Sequence, residues 1–256
     1  MMSSVANQLK LRYDLKGDVM NNPFKLMFII LTSLYLCLGC ASTKVTDRQR
    51  LVTEKLARPD HILVSDFVAT PADIPADSSL YGKHDEHPTP QTAEQIDAGR
   101  KVGAEIAAQL VEQIRGIGMP AERSSNQAIP QINDIVIRGY LLSIEEGSYD
   151  KRFVVGFGSG ASKLTTAVEG YQMTDKGLRK VGSGTVDTGG SKTPGVAAPL
   201  AAAIASGNPL GLIVSGGMKL HGEKSGSSTI EGRIKQTVKE IADQLRLRFE
   251  QEGWIK

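Results

Sequence analysis

The sequence has only two cysteines, Cys37 and Cys40, and both lie near its N-terminus. The chain that follows Cys40 therefore contains no disulfide and no thiol nucleophile, so packing alone must stabilise it. An excess of charge is also lacking, because 30 basic residues stand against 28 acidic ones and the two kinds are mixed along the chain. Nucleic-acid-binding domains carry a basic patch, so we predict no nucleic-acid partner.

The N-terminal apolar run, which starts near Phe24 and ends at Leu38, is short for a membrane span. It has roughly 15 residues, whereas a transmembrane helix needs about 20. Lys25 lies at its start and the small residue Gly39 follows it, a pattern typical of a bacterial export signal. Cleavage of this signal is favoured, and a retained signal anchor is the alternative.

The end of this run, Leu36-Cys37-Leu38-Gly39-Cys40, resembles the lipobox of bacterial lipoproteins. The usual leucine lies three residues before the cysteine, whereas here Cys37 takes that place and Leu36 is one position further out. The resemblance implies that the mature chain starts at Cys40, whose thiol carries a diacylglycerol that anchors the protein to a membrane. Ala41 at the next position is compatible with the outer membrane. We therefore expect a lipid-anchored protein of the bacterial cell envelope that faces the periplasm.

These features divide the chain into four parts. Residues 1–19 are polar and precede Met20, a better start for the signal, so we interpret them as an upstream extension. Residues 20–39 form the lipoprotein signal peptide. Residues 40–60 are polar and are predicted to be a tether. Residues 61–252 are long enough for one domain with its own core.

Hydrophobic spacing within the domain predicts both helices and strands. Thr92 and Gln95 have the form of a capping box, and a helical stripe of apolar residues follows them up to Ile117. A second capping box at Ser228 and Glu231 precedes a strongly amphipathic helix. Its stripe consists of Ile230, Ile234, Val238, Ile241, Leu245 and Phe249.

Several apolar, β-branched segments predict strands. Ile62–Phe67 is expected to be a buried first strand, and a long surface loop, residues 71–90, follows it. Ile135–Leu142 is apolar on both faces and is expected to be central. Leu164–Tyr171 and Leu178–Thr188 form a hairpin.

Apolar and polar residues occupy alternating positions along the first strand of this hairpin. The alternation predicts that one face, with Lys163, Thr165 and Glu169, meets solvent. The expected fold is α+β, with a mostly antiparallel sheet covered on one face by two amphipathic helices.

Gly156, Gly158 and Gly160, followed by Ala161, match the fingerprint of dinucleotide-binding loops. That chemistry needs a helix to open directly after the glycines, so that its amides face the pyrophosphate. The residues from Lys163 onward instead alternate and are β-branched, which predicts a strand. We therefore interpret the glycines as a loop or strand bend of unassigned role and expect no cofactor.

Two other groups of residues carry potential chemistry. The run from His84 to His87 holds four potential metal ligands, but it lies beside prolines and has no second cluster, so we interpret it as a solvated loop. Ser183 stands in a predicted strand rather than at a strand-to-helix turn. Glu145 and Glu146 are adjacent acids on a turn. No catalytic set or metal site is predicted, and we expect a non-enzymatic protein.

The segment Gly195–Gly217 is nearly uncharged and rich in glycine and alanine. We expect an apolar helical hairpin here, packed on its own domain or contacting another protein or lipid. Small residues allow the close approach of backbones that membrane-associated helices use. The candidate interaction residues are Val196, Leu200, Ile204, Leu210, Leu212, Ile213 and Val214.

Four segments together resemble a known family. They are the strand Ile62–Phe67, the helix end Ile114–Gly118, the strand from Ile135 to Gly147 and the glycine-rich run Gly156–Leu164. In this combination they are similar to the bacterial lipoproteins grouped as domain-of-unknown-function family 4410, over nearly all of the mature chain. The family has no established activity, so the resemblance implies an address and no mechanism.

The expected function is a non-enzymatic envelope lipoprotein that binds protein partners or self-associates as a homo-oligomer. The alternative is a membrane-inserting component of a secretion or envelope assembly, because the order of elements is also similar to the small domain of the curli secretion lipoprotein. That likeness is one of fold alone. Membrane-inserted strands alternate lipid-facing and lumen-facing residues, and Gly195–Gly217 does so poorly, which favours the first hypothesis.

Overall fold

The computed structural model describes residues 43–78, 80–81, 91–124, 129–145, 162–189, 213–215 and 229–256, with the backbone alone at residues 145 and 213–215. Seven strands belong to one sheet: β1 (Thr43–Arg50), β2 (Ile62–Val64), β3 (Ala121–Arg123), β4 (Ile135–Glu145), β5 (Lys163–Thr174), β6 (Gly177–Gly189) and β7 (Ile213–Ser215). The two α-helices of the described residues are α1 (Ala93–Gly116) and α2 (Ile230–Glu252), and a 3-10 turn covers Pro71–Asp73.

The α+β class is confirmed, but the sheet is mixed rather than mostly antiparallel. The strand order is β1-β6-β5-β4-β2-β3, and β7 pairs with β4 beside this path. The pairs β1–β6, β5–β6 and β4–β5 are antiparallel, whereas β2 runs parallel to β3 and β4, and β7 runs parallel to β4. Parallel neighbours need a crossover, and α1 supplies it between β2 and β3.

The predicted tether at residues 40–60 is wrong for most of its length. Thr43–Arg50 forms the edge strand β1, with Thr43 opposite Thr188 and Arg50 opposite Gly182. Val52 and Leu56 then join the core. Lys44, Arg48 and Arg50 of β1 are exposed, which suits an edge strand because charges there discourage pairing with a further chain.

Both helices form where their sequence patterns predict them. Thr92 Oγ1 accepts from the backbone N–H of Gln95, and the Gln95 side chain accepts from Thr92 N, which completes the capping box of α1. The N-cap of α2 is Thr229, one residue after the predicted Ser228, and its hydroxyl accepts from Gly232 N. The predicted stripe of α2 is confirmed as its core-facing side.

The two helices pack side by side on one face of the sheet and share the main core with its strands. Phe67 lies between α1 and β4, where each of these elements has a glycine that contacts it. A Cβ at Gly103 of α1 would lie 2.0 Å from the Phe67 carbonyl oxygen, and a Cβ at Gly139 of β4 would lie 2.1 Å from the Phe67 ring. None of the described helices is both long and apolar enough to cross a membrane.

The opposite face of the sheet is covered by the segment Val68–Tyr81. Tyr140, Leu142 and Ala167 pack there against Val68, Ile74 and Leu80. The predicted surface loop at residues 71–90 is therefore a packed cover in its described part.

The predicted helical hairpin at Gly195–Gly217 is not confirmed. Its residues 213–215 are extended and pair with β4, and the rest of it lies outside the described residues.

Candidate functional site

A buried carboxylate on the covered face of the sheet collects four side-chain donors. Glu169 Oε2 accepts from Ser78 Oγ at 3.1 Å, from Tyr140 OH at 3.1 Å and from Tyr171 OH at 2.6 Å. Lys180 Nζ donates to Glu169 Oε1 at 2.5 Å. The donors come from β4, β5, β6 and the covering segment, so Glu169 joins three strands to that segment. We call these five residues the Glu169 cluster.

The Glu169 cluster has the properties of a structural connection. An ionised carboxylate accepts at both oxygens, and here Oε2 accepts from three hydroxyl groups and Oε1 from the ammonium group of Lys180. Burial raises the pKa of Tyr140, and the negative charge of Glu169 raises it further, so this hydroxyl stays protonated and continues to donate. Beside the cluster, Arg138 Nη1 donates to Asp77 Oδ1 at 2.7 Å and adds a second polar connection to the covering segment.

The sequence prediction for this face is wrong. Alternation along β5 predicts that Glu169 and Thr165 meet solvent, yet their exposed fractions are 2% and 1%. Alternation along one strand shows which residues share a face, but it does not show what packs on that face. Tyr171 follows Glu169 by two residues and therefore lies on the same face of the strand. This spacing is the signal in the sequence that could have predicted a polar cluster.

A cavity of about 300 Å³ lies between α2 and the sheet. Its walls include the core residues Ile137, Val186, Ile241, Phe249 and Trp254. Gly170, Gly182 and Gly184 of β5 and β6 line it as well. Because these three positions have no side chain, the sheet does not fill the space beneath α2 there. We call this space the α2 cavity.

Arginines stand at the mouth of the α2 cavity. Arg48 and Arg50 of β1 and Arg248 of α2 line it together with Gln244, and none of the described lining residues is acidic. Arg48 Nη1 donates to Gln244 Oε1, which connects β1 to α2 across the opening. The cavity is thus apolar inside and positively charged at its entrance, an arrangement found in small-molecule binding sites.

Most of the residues singled out from the sequence are not among the described residues. The structure does not describe Cys40, the glycines Gly156, Gly158 and Gly160, or the histidine run 84–87. It also does not describe five of the candidate interaction residues, which are Val196, Leu200, Ile204, Leu210 and Leu212. Ile213 and Val214 form the first two positions of β7.

Two of the interpretations drawn from the sequence motifs concern described residues. The strand predicted after the glycine run is confirmed as β5, so the helix that a dinucleotide loop requires is not there. Ser183 lies in β6, opposite Glu169 in the ladder with β5, rather than at a strand-to-helix turn. Within the described ranges, no group of three or more His, Cys, Asp or Glu side chains is placed to hold a metal ion.

Comparison with known proteins gives one family match. The model of the family described as Domain of unknown function (DUF4410) matches residues 62–207. These bounds run from the start of β2 past β6. No curated protein matches the chain.

Two solved structures illustrate the structural likeness. The PelC dodecamer from Paraburkholderia phytofirmans is 15% identical, with a TM-score of 0.31, and the match covers 65% of this chain and 94% of that one. The hypothetical protein CT253 from Chlamydia trachomatis is 11% identical, with a TM-score of 0.35, covering 74% and 96%. TM-scores of this size do not establish a common fold, so neither likeness bears on function.

Proposed function

The chain belongs to the DUF4410 family, and we propose that it is a non-enzymatic, lipid-anchored protein of the bacterial cell envelope. In this proposal the lipid on Cys40 holds the protein at the outer membrane, facing the periplasm. The domain binds other proteins, or further copies of itself, through the apolar segment Gly195–Gly217.

The observation that carries the binding role is the position of β7. Ile213–Ser215, near the end of the apolar segment, pairs with β4 alone among the described strands. A strand paired on one side presents unpaired backbone groups on the other, and these can pair with another chain. A short uncharged strand continuous with an apolar segment is suited to that contact.

The other described edges of the sheet differ from β7. β1 carries Lys44, Arg48 and Arg50 and has an irregular register between Thr46 and Gln49. β3 at the opposite edge contains a glutamate and an arginine in its three residues. Charges and bulges at an edge oppose pairing with a further strand. β7 is therefore the described edge that is least protected against association.

The start of β1 bears on the anchoring role. Thr43 is three residues after Cys40, and three extended residues span at most about 10 Å. A lipid on Cys40 would thus hold the edge of the sheet close to the membrane surface, with almost no free tether between them.

Substitution in the apolar segment tests the binding role. Leu200, Ile204 and Leu210 are changed together to serine in the full chain, which leaves β7 unaltered. We expect the oligomer mass measured by light scattering in detergent to fall, and crosslinked partners from envelopes to be lost, while the melting temperature stays unchanged. The control is Ile129→Ser, a residue that is 85% exposed elsewhere. Unfolding of the triple variant, or unchanged association, would contradict this role.

A cysteine pair tests the anchoring role. Cys40→Ser should remove the mass of the lipid and release the protein from membranes, or leave the signal uncleaved. Cys37→Leu is the matched control, because it removes the other cysteine and supplies the usual lipobox residue at that position, and it should leave the mature mass and the membrane fraction unchanged. Identical mass and membrane partition of Cys40→Ser and the natural chain would refute lipidation at this residue.

A further inference from the structure

The interior of the α2 cavity is suited to a hydrocarbon chain. Its deep walls are side chains from both the sheet and α2, and Ile137, Ile241 and Phe249 among them are at most 4% exposed. At the ~30 Å³ that a water molecule takes in the liquid, its volume of about 300 Å³ corresponds to roughly ten non-hydrogen atoms. That volume lies at the lower end of the range for small-molecule sites.

The space exists because β5 and β6 carry glycine where they pass beneath α2. A Cβ at Gly170 would meet its nearest atom, Val181 Cγ2, at 3.6 Å, and a Cβ at Gly184 would meet Arg48 Cγ at 3.6 Å. Both are ordinary contact distances. A Cβ would therefore fit at these two positions without displacing the backbone, and a side chain built on it would extend into the cavity that these glycines line.

The mouth of the cavity carries more positive than negative charge. Arg48, Arg50 and Arg248 line it, and no described lining residue is acidic. Glu252, which lies behind the mouth, is 2.6 Å from Arg248 Nη2 and 3.7 Å from Arg50 Nη2, so one carboxylate serves two arginines. Burial lowers the pKa of Arg248 and the nearby charge of Arg50 lowers it further, although Glu252 acts in the opposite direction. The hydrogen bond from Arg48 goes to the neutral Gln244.

We propose that the α2 cavity binds a single-chain anionic amphiphile, a medium-chain fatty-acid carboxylate, with its hydrocarbon chain between α2 and the glycines of β5 and β6 and its carboxylate at Arg48. An apolar interior with room for roughly ten non-hydrogen atoms selects the hydrocarbon chain. Three arginines face one carboxylate, Glu252, and this excess of positive charge selects a negative head group over a neutral or cationic one. None of the described lining residues belongs to the apolar segment, and the proposal does not depend on the lipid at Cys40.

The chain provides its own reporter for this site. Trp254 is the single tryptophan of the sequence, and it lines the cavity with its ring 5.3 Å from that of Phe249. Decanoate that carries bromine on its last carbon should quench Trp254 fluorescence with a saturable dose dependence. Decanol and decyltrimethylammonium should displace it at least about tenfold less well than decanoate, since each lacks the charge-assisted bond to arginine.

Variants locate the bound chain. Gly170→Val and Gly184→Val should each weaken the binding of bromodecanoate by about tenfold or more, which corresponds to more than 1.4 kcal/mol. Valine suits a strand and fills a cavity, so both variants should keep the melting temperature or raise it. Gly116→Ala, where an added Cβ meets nothing within 4 Å, is the control. Two valine positions keep the test valid if one of them disturbs folding.

A charge variant tests the head group. Arg48→Gln should weaken decanoate binding by about tenfold and leave the weaker binding of decanol unchanged. Lys101→Gln on α1, an exposed position, is its control. Absence of saturable quenching, equal quenching in the natural chain and both valine variants, or equal competition by decyltrimethylammonium would each overturn the proposal.

Discussion

Glu169→Gln replaces one carboxylate oxygen of the Glu169 cluster by an amide nitrogen and removes the charge while keeping the shape of the side chain. The amide oxygen can take the place of Oε2 and still accept from Ser78, Tyr140 and Tyr171. The amide nitrogen then faces the ammonium group of Lys180, where Oε1 had accepted at 2.5 Å. Two donors face each other there, and the ion pair is lost.

The cost follows from the hydrogen bonds that change. Loss of one charge-assisted bond destabilises by about 1.5–3 kcal/mol, and the three hydroxyl bonds weaken when their acceptor becomes neutral. Removing one partner of a fully buried ion pair costs about 3–5 kcal/mol. The Lys180 side chain is 22% exposed and can turn toward water, which reduces that figure. We expect the free energy of unfolding to fall by about 3 kcal/mol.

Urea unfolding of the natural chain, Glu169→Gln, Lys180→Met and the double variant measures this effect. The double variant has neither charge, so its loss should be less than the sum of the single losses by about 2 kcal/mol. The covering segment should also become more sensitive to protease in Glu169→Gln, because Ser78 holds it to the sheet. Asp97→Asn, at an exposed pair with Lys101 on α1, is the control and should change stability by less than about 0.5 kcal/mol.

One result would refute the reasoning. If Glu169→Gln changed the free energy of unfolding by less than about 0.5 kcal/mol, the range of an ordinary surface substitution, Glu169 would not be the buried acceptor of four donors. Additive losses in the double variant would likewise show that Glu169 and Lys180 do not interact.

Three further predictions concern backbone positions and use the same urea assay. Gly103→Ala should lower the free energy of unfolding by about 2 kcal/mol or more, because the Cβ of alanine would lie 2.0 Å from the Phe67 carbonyl oxygen. This loss should exceed the gain of about 1 kcal/mol that alanine gives over glycine within a helix. A more stable variant would disprove that close approach. Gly253→Ala should lower the free energy of unfolding by about 1 kcal/mol through backbone strain, because φ at this C-cap is +79°. Strain is the sole expected cause, since an added Cβ would have no atom within 4 Å. An unchanged free energy of unfolding would show that the left-handed cap is not formed. Thr92→Ala should cost about 1 kcal/mol by removing the acceptor for Gln95 N, and Thr92→Ser should restore most of it.

The helices and the β5–β6 hairpin were predictable from sequence because their signals are local. Each of α1 and α2 has a stripe of apolar residues at helical spacing and an N-cap within one residue of the predicted position. Both signals can be recognised without reference to the rest of the chain. Turn residues between two alternating runs likewise predict the hairpin, which the structure extends to Lys163–Thr174 and Gly177–Gly189.

The strands β1, β3 and β7 could not be predicted in the same way. The residues of β1 are mostly polar, which favours a tether, and they form a strand only by pairing with β6, more than 130 residues later in the chain. β3 and β7 have three residues each, too few for any periodic pattern. Their parallel pairing with β2 and β4, together with the parallel pairing of β2 with β4, makes the sheet mixed.

By itself the sequence determined the two amphipathic helices with their core-facing stripes, the central strand at Ile135 and the hairpin after it, because period and capping act between near neighbours. Only the tertiary structure decided that Glu169 is buried, since Ser78, 91 positions away, brings the covering segment over it. It also decided that the glycines of β5 and β6 leave a cavity under α2. At the mouth of this cavity Arg48 is hydrogen-bonded to Gln244, which lies 196 positions later in the chain. Burial and cavities depend on which distant surfaces meet, and a residue pattern along one strand carries no record of its partner.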